Sequence, residues 1–103
     1  MNPWRGEVAV TVNGERRMAR LTLGALAELE ATLETGSLVE LVERFEGGGF
    51  SARDILALLA AGLRGGGWGG TAADLARAEI GGGPVGAARL AAELLSHAFR
   101  VPE

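Results

Sequence analysis

Four groups of residues in this chain have types or spacings that could carry chemistry: His97, the glycine run from Gly65 to Gly70, a set of glutamates and a cluster of arginines. His97 is the single histidine. A hydrolytic triad needs a nucleophile and an orienting carboxylate, and no spacing in the chain proposes them. There is no cysteine, so thiolate nucleophiles, disulfides and thiolate metal sites are excluded, and a metal site would rest on carboxylates alone.

Gly65, Gly67 and Gly70 match G-x-G-x-x-G formally. A dinucleotide site needs a strand before that loop and a helix after it. Here a helical pattern precedes it. The phosphate-loop alternative fails as well, because Thr71 stands where the lysine belongs. A flexible interhelical loop is the reading retained.

Glu28, Glu30, Glu34, Glu40, Glu43 and Glu46 face only Arg44 among basic residues in that stretch. Paired carboxylates can hydrolyse glycosides, but these fall on helix surfaces, so a solvated face is expected. Arg5, Arg16, Arg17 and Arg20 cluster near the N-terminus against Glu7 and Glu15. That distribution suits an electrostatically oriented protein contact. A nucleic-acid patch is disfavoured, since the net charge is −3 and no aromatic residues interleave the basic ones. Trp4, Phe50 and Trp68 fall in loops or at helix edges. Trp68 has only glycines around it for local packing, which makes it a candidate interface anchor. Arg16, Arg17, Arg20 and Trp68 are therefore the candidate partner-binding residues. No catalytic, cofactor or metal residue is assigned.

The elements that must position these residues follow from periodicity. Residues 7–12 alternate, with Val8, Val10 and Val12 on one face, and Asn13-Gly14 is a strong hairpin signal. A two-residue turn sets Val10 opposite Arg17 and Val8 opposite Ala19. Met18, Arg16 and Arg20 then occupy the other face. The hairpin is expected over 7–21 and helices over 23–100.

Leu23, Leu26, Leu29 or Glu30, and Leu33 trace a helix that stops near Gly36. Ser37 and Glu40 form a capping box for a second helix with the stripe Leu38, Leu41, Val42 and Phe45. Ser51 caps a third that is apolar almost all round and therefore the most buried. Thr71 and Asp74 repeat the capping pattern for a short helix through about Glu79. Pro84 opens the last helix, which runs to about Arg100, with Val85, Ala88, Ala91, Leu94, Leu95, Ala98 and Phe99 on its apolar side.

With 103 residues, 48% of them hydrophobic, the chain reads as a single domain, too apolar for disorder. It has no apolar run long enough to cross a membrane and no visible signal peptide, so a cytoplasmic location is expected. The fold class is α+β: an N-terminal β-hairpin packed against a small bundle of four to five short helices.

The segments Arg5-Gly6-Glu7-Val8, Asn13-Gly14, Leu21-Thr22-Leu23-Gly24-Ala25-Leu26-Ala27-Glu28-Leu29-Glu30, Gly36-Ser37-Leu38, Phe50-Ser51-Ala52-Arg53-Asp54 and Ala61-Gly62-Leu63-Arg64-Gly65 together resemble a known family. It comprises the short tail assembly chaperones, or tail tube proteins, of gene transfer agents and related tailed phages. The resemblance implies a non-enzymatic protein without cofactors, made among the tail genes. Its implied partners are the tape measure protein, whose hydrophobic helices it would coat, and the tail tube protein. The chain is either a chaperone that leaves before the particle matures or a tube or connector subunit that stays. Homo-oligomerisation is compatible with both. A small ligand- or nucleic-acid-binding domain is the third reading.

Overall fold

The computed structural model describes residues 6–33 and 38–99. Strands β1 (Val8–Val12) and β2 (Glu15–Ala19) are followed by helices α1 (Leu23–Thr32), α2 (Leu38–Gly47), α3 (Ala52–Gly65), α4 (Ala72–Ala76) and α5 (Gly83–Ala98). This is the expected α+β arrangement. Trp4, Arg5, Gly36, the Ser37 cap, Arg100 and Pro102 lie outside the described residues.

Asn13 (φ 51°) and Gly14 (φ 81°) both take left-handed conformations, as a type I′ turn requires. The antiparallel register sets Val8 opposite Ala19 and Val10 opposite Arg17. Val8, Val10, Val12 and Ala19 are buried, so the alternation gives one core face and one outward face.

The hairpin's edges are occupied, which alternation alone does not foretell. Val12 bridges Ile80. The Asn13 amide donates to the Glu79 carbonyl at 2.8 Å, and the Gly81 amide donates to the Thr11 carbonyl at 2.9 Å. On the other side, the Arg20 amide donates to the Gly62 carbonyl at 2.8 Å. A Cβ at Gly65 would overlap the Arg20 carbonyl, and one at Gly66 the Met18 carbonyl. The start of the glycine run is thus a close-packed junction between α3 and β2, where a flexible loop was expected.

Helix α3 lies at the centre. Asp54, Ala57, Leu58, Leu59, Ala60, Ala61, Gly62 and Leu63 are all buried. Its N-terminus carries a complete capping box: Ser51 Oγ accepts from the Asp54 amide at 3.1 Å, and Asp54 accepts from the Ser51 amide at 2.9 Å. Helices α1, α4 and α5 and strand β2 pack on α3. At Gly62 a Cβ would stand 2.8 Å from a Leu94 methyl, so α3 and α5 approach closely there.

Three local expectations are corrected. Thr22 caps α1, its hydroxyl accepting from the Ala25 amide at 3.0 Å. That start turns Ala25 and Leu29 inward and leaves Leu23 84% exposed. Helix α4 stops at Ala76, because the backbone of Glu79 and Gly81 is used by β1. In α5 the buried side is Ala87, Ala91, Leu94 and Leu95. Val85 stands two residues before Ala87, about 200° around the helix, and is 73% exposed; Phe99, expected on the same apolar side, is also exposed.

Candidate partner-binding surfaces

The pleat divides the hairpin arginines. Arg16 and Met18 share the outward face, whereas Arg17 lies opposite Val10 on the inward side; Arg20 follows the end of β2, its amide bonded to the Gly62 carbonyl. Arg17 donates to Glu15 at 3.1 Å. Both side chains are well exposed, and such pairs contribute at most about 1 kcal/mol. On the outward face Arg16 is exposed, whereas Met18 and, just beyond β2, Arg20 are half-buried.

Trp68 is not brought into that face. It is half-buried against the core, and its amide donates to the Leu63 carbonyl at 2.9 Å. The indole lies over Gly70, where a Cβ would overlap it. The glycines that were expected to leave Trp68 without packing are the surface it packs on. With Thr22, Gly24, Glu28, Arg64 and Gly69, Trp68 lines a cleft of about 420 Å³. Arg64 and Glu28 pair across it at 2.8 Å. Its two charged side chains thus neutralise one another.

Helix α2 presents a third surface. Its inward stripe is Leu41, fully buried, with Leu38, Val42 and Phe45 partly buried. The Phe45 and Phe50 rings stack at 4.6 Å between centroids, only 8° from parallel. Arg44 donates to both oxygens of Asp54, Nη2 to Oδ1 at 2.9 Å and Nε to Oδ2 at 3.0 Å. Burial pushes the Asp54 carboxyl pKa up. Donors from Arg44 and Ser51 outweigh that, so the group sits below its ordinary value. Among the described residues, the α2 backbone comes close to the other elements only at isolated points. On its outer side Glu40, Glu43, Glu46 and Val39 are exposed.

The Arg44–Asp54 pair went unrecognised in the sequence. Its signal was the single basic residue within an acidic stretch, ten positions before the N3 carboxylate of the next helix.

The groups that raised catalysis stay apart. His97 is half-buried, and its Nδ1 is buried without a hydrogen bond. The glycine run follows α3 and precedes the five-residue α4, so the strand a dinucleotide loop needs is not before it. Among the described residues no group of three or more His, Asp or Glu side chains is placed to hold a metal ion, and no helix is long and apolar enough to cross a membrane.

Neither the curated proteins nor the solved structures provide a match to this chain. The family described as "Phage tail tube protein, GTA-gp10" matches residues 5–101, nearly the whole length. With the hairpin, its five following helices and that match in place, the chain belongs to the GTA-gp10 family of phage tail proteins.

Proposed function

We propose that the protein is a non-enzymatic tail assembly chaperone of the bacterial cytoplasm. It binds the tape measure protein, the tail tube protein or both while a tail is built, and then releases them. The observation that carries this reading is the attachment of α2. Among the described residues this amphipathic helix is seated by an apolar stripe, a ring stack and the Arg44–Asp54 ion pair, and it runs out into Gly47-Gly48-Gly49. Gly48, exposed and at φ +78°, ends the helix in a glycine cap, the Gly49 amide donating to the Arg44 carbonyl at 2.8 Å. Such a helix can yield its seat to an amphipathic helix of a partner and later reclaim it.

Co-expression with the tape measure protein tests the reading. The chaperone is expected to co-purify with it and raise its soluble yield; no co-purification and no gain in yield would sink the idea.

A second reading, a tail tube subunit retained in the particle, draws on the family's own description. Mass spectrometry of purified particles separates the two, because a retained subunit is present in stoichiometric amount. Tube walls need extensive sheet, and the described residues carry one hairpin and one added bridge, which supports the chaperone.

A further inference from the structure

Asn13 and Glu79, distant in sequence, hold each other by two hydrogen bonds. The Asn13 amide donates to the Glu79 carbonyl at 2.8 Å, and the Glu79 amide donates to Asn13 Oδ1 at 2.9 Å. Asn13, Gly14 and Glu79 are all exposed to solvent. An asparagine followed by glycine is disposed to lose ammonia, because no side chain hinders the glycine nitrogen. That nitrogen attacks Asn13 Cγ and closes a five-membered succinimide. The N–Cγ bond forms, the Cγ–Nδ2 bond breaks, and Nδ2 leaves as ammonia with the Gly14 amide proton. Water then opens the ring at either carbonyl. One opening gives aspartate; the other gives isoaspartate, whose backbone runs through Cβ and Cγ.

The fold opposes the first step twice. Asn13 and Gly14 are both left-handed, with φ 51° and 81°. In that conformation the Gly14 nitrogen lies nearly opposite Cβ about the Asn13 Cα–C bond. Ring closure needs both on the same side, so ψ must turn through about half a circle, which dismantles the turn. Meanwhile the Glu79 amide ties down the carboxamide. Glu79 is itself secured by the Val12–Ile80 bridge and by the Gly81 amide, which donates to the Thr11 carbonyl at 2.9 Å.

We propose that Asn13 is a self-modification site guarded by Glu79. It is spared while the Glu79–Gly81 segment lies on β1, and it passes through a succinimide to isoaspartate when that segment leaves. Water is the only co-reactant. In the isoaspartate, Oδ1 becomes the carbonyl oxygen of the link to Gly14, so the side-chain acceptor for Glu79 is lost. The added backbone atom also lengthens a turn that sets Val12 opposite Glu15. A passing opening of the β1 edge is thereby made permanent. Guarding of this kind is independent of the chaperone reading, and the protein alone suffices to test it.

The release of ammonia reads out a single residue. The chain has two asparagines and no glutamine, and Asn2 precedes Pro3, whose nitrogen carries no hydrogen to give up. Conversion of Asn13 adds about one dalton and makes the formal charge one unit more negative than −3. The full chain is held in mildly alkaline buffer, folded or in guanidinium chloride, and followed by isoelectric focusing and peptide mass mapping. Conversion is expected to be slower in the folded chain by about tenfold or more, as for a segment protected against local opening. Glu79→Pro removes the guarding amide. Where circular dichroism shows that variant to be folded, its conversion is expected to approach the unfolded rate.

Equal rates in the folded and unfolded chain overturn the proposal. So does a folded Glu79→Pro chain that converts at the rate of the unaltered protein. Should Glu79→Pro fail to fold, amide exchange in the unaltered protein takes its place. Conversion is expected to quicken in step with exchange at Glu79 as denaturant is raised below the unfolding transition; a conversion rate that does not follow that opening overturns the proposal. The isoaspartate chain, separated by chromatography, is expected to have lost protection of the Gly81 amide. Retained protection there overturns the permanent opening.

Discussion

Arg44 on α2 and Asp54 in the first turn of α3 form a two-pronged ion pair, with hydrogen bonds of 2.9 and 3.0 Å to the two carboxylate oxygens. Asp54 is only 7% exposed and also caps its own helix. One carboxylate thus fixes the start of the central helix and the seat of the helix before it.

Removing the arginine leaves that carboxylate buried with only its cap donors. Arg44→Ala is expected to lower unfolding stability by about 2–3 kcal/mol, somewhat less than a fully buried pair because the arginine is partly solvated. Arg44→Lys should recover only part, since an ammonium cannot make the two-pronged contact. Urea denaturation of the three proteins measures both differences.

The same pair sets an acid response. The Asp54 carboxyl is depressed below its ordinary 3.8 in the folded protein. Its contribution is therefore present in full well above that value and is lost as pH falls through the lower folded value. Stability should decline below about pH 4 as Asp54 takes up its proton. In Asp54→Asn that part of the decline should disappear, against a lower stability at neutral pH. Midpoints of urea unfolding between about pH 2.5 and 7 check the sign.

Gly65 and Gly66 are required by neighbours. Either residue changed to alanine would drive a methyl into the Arg20 or Met18 carbonyl, which is expected to cost about 2 kcal/mol or more and to lower the melting temperature by roughly 10 °C. Gly47→Ala, with open space at its Cβ, serves as the tolerated control. Thermal unfolding followed by circular dichroism distinguishes the two sites.

Asn13 works twice. Its backbone takes the left-handed turn conformation, and its Oδ1 accepts from the Glu79 amide at 2.9 Å. Asn13→Gly keeps the turn and loses the side-chain bond, so a loss of about 1 kcal/mol is expected. Asn13→Ala loses both, with about 1–2 kcal/mol more from left-handed strain. Amide exchange at Glu79 and Gly81 should quicken in both variants.

His97→Ala is expected to leave solubilisation of a tape measure partner unchanged, because among the described residues the imidazole Nδ1 has no hydrogen-bond partner with which to act. Complete loss of that activity in a folded variant would overturn the non-enzymatic reading of this residue.

Most of the fold was legible because its signals are local. The Val8, Val10, Val12 alternation and the Asn13-Gly14 turn determine register without reference to the rest of the chain. Ser51 with Asp54 and Thr71 with Asp74 mark helix starts by spacing alone. What escaped is made by residues distant in sequence. The strand-like stretch at Glu79 to Gly81 reads as the tail of a helix until β1 is there to take its hydrogen bonds. Leu23 carries a core side chain's chemistry, yet the cap at Thr22 turns it outward. The candidate surfaces were legible in part. Arg16 and Met18 share a face, as the pleat requires. Trp68 belongs elsewhere, because its packing surface is a glycine and glycine has no periodicity.

The bridge between Val12 and Ile80 also orders events in time. Asn13 and Glu79 are 66 positions apart, so at about 5–20 residues per second the ribosome makes the partner roughly 3 to 13 s after the turn. Throughout that interval the nascent hairpin offers an unpaired edge, the kind of edge on which neighbouring chains aggregate. Its completion waits for nearly the whole chain. Cells overproducing fragments that end before Ile80 should therefore accumulate them as inclusion bodies, since such fragments retain both strands but leave the β1 edge open and, without α5, one side of α3 uncovered.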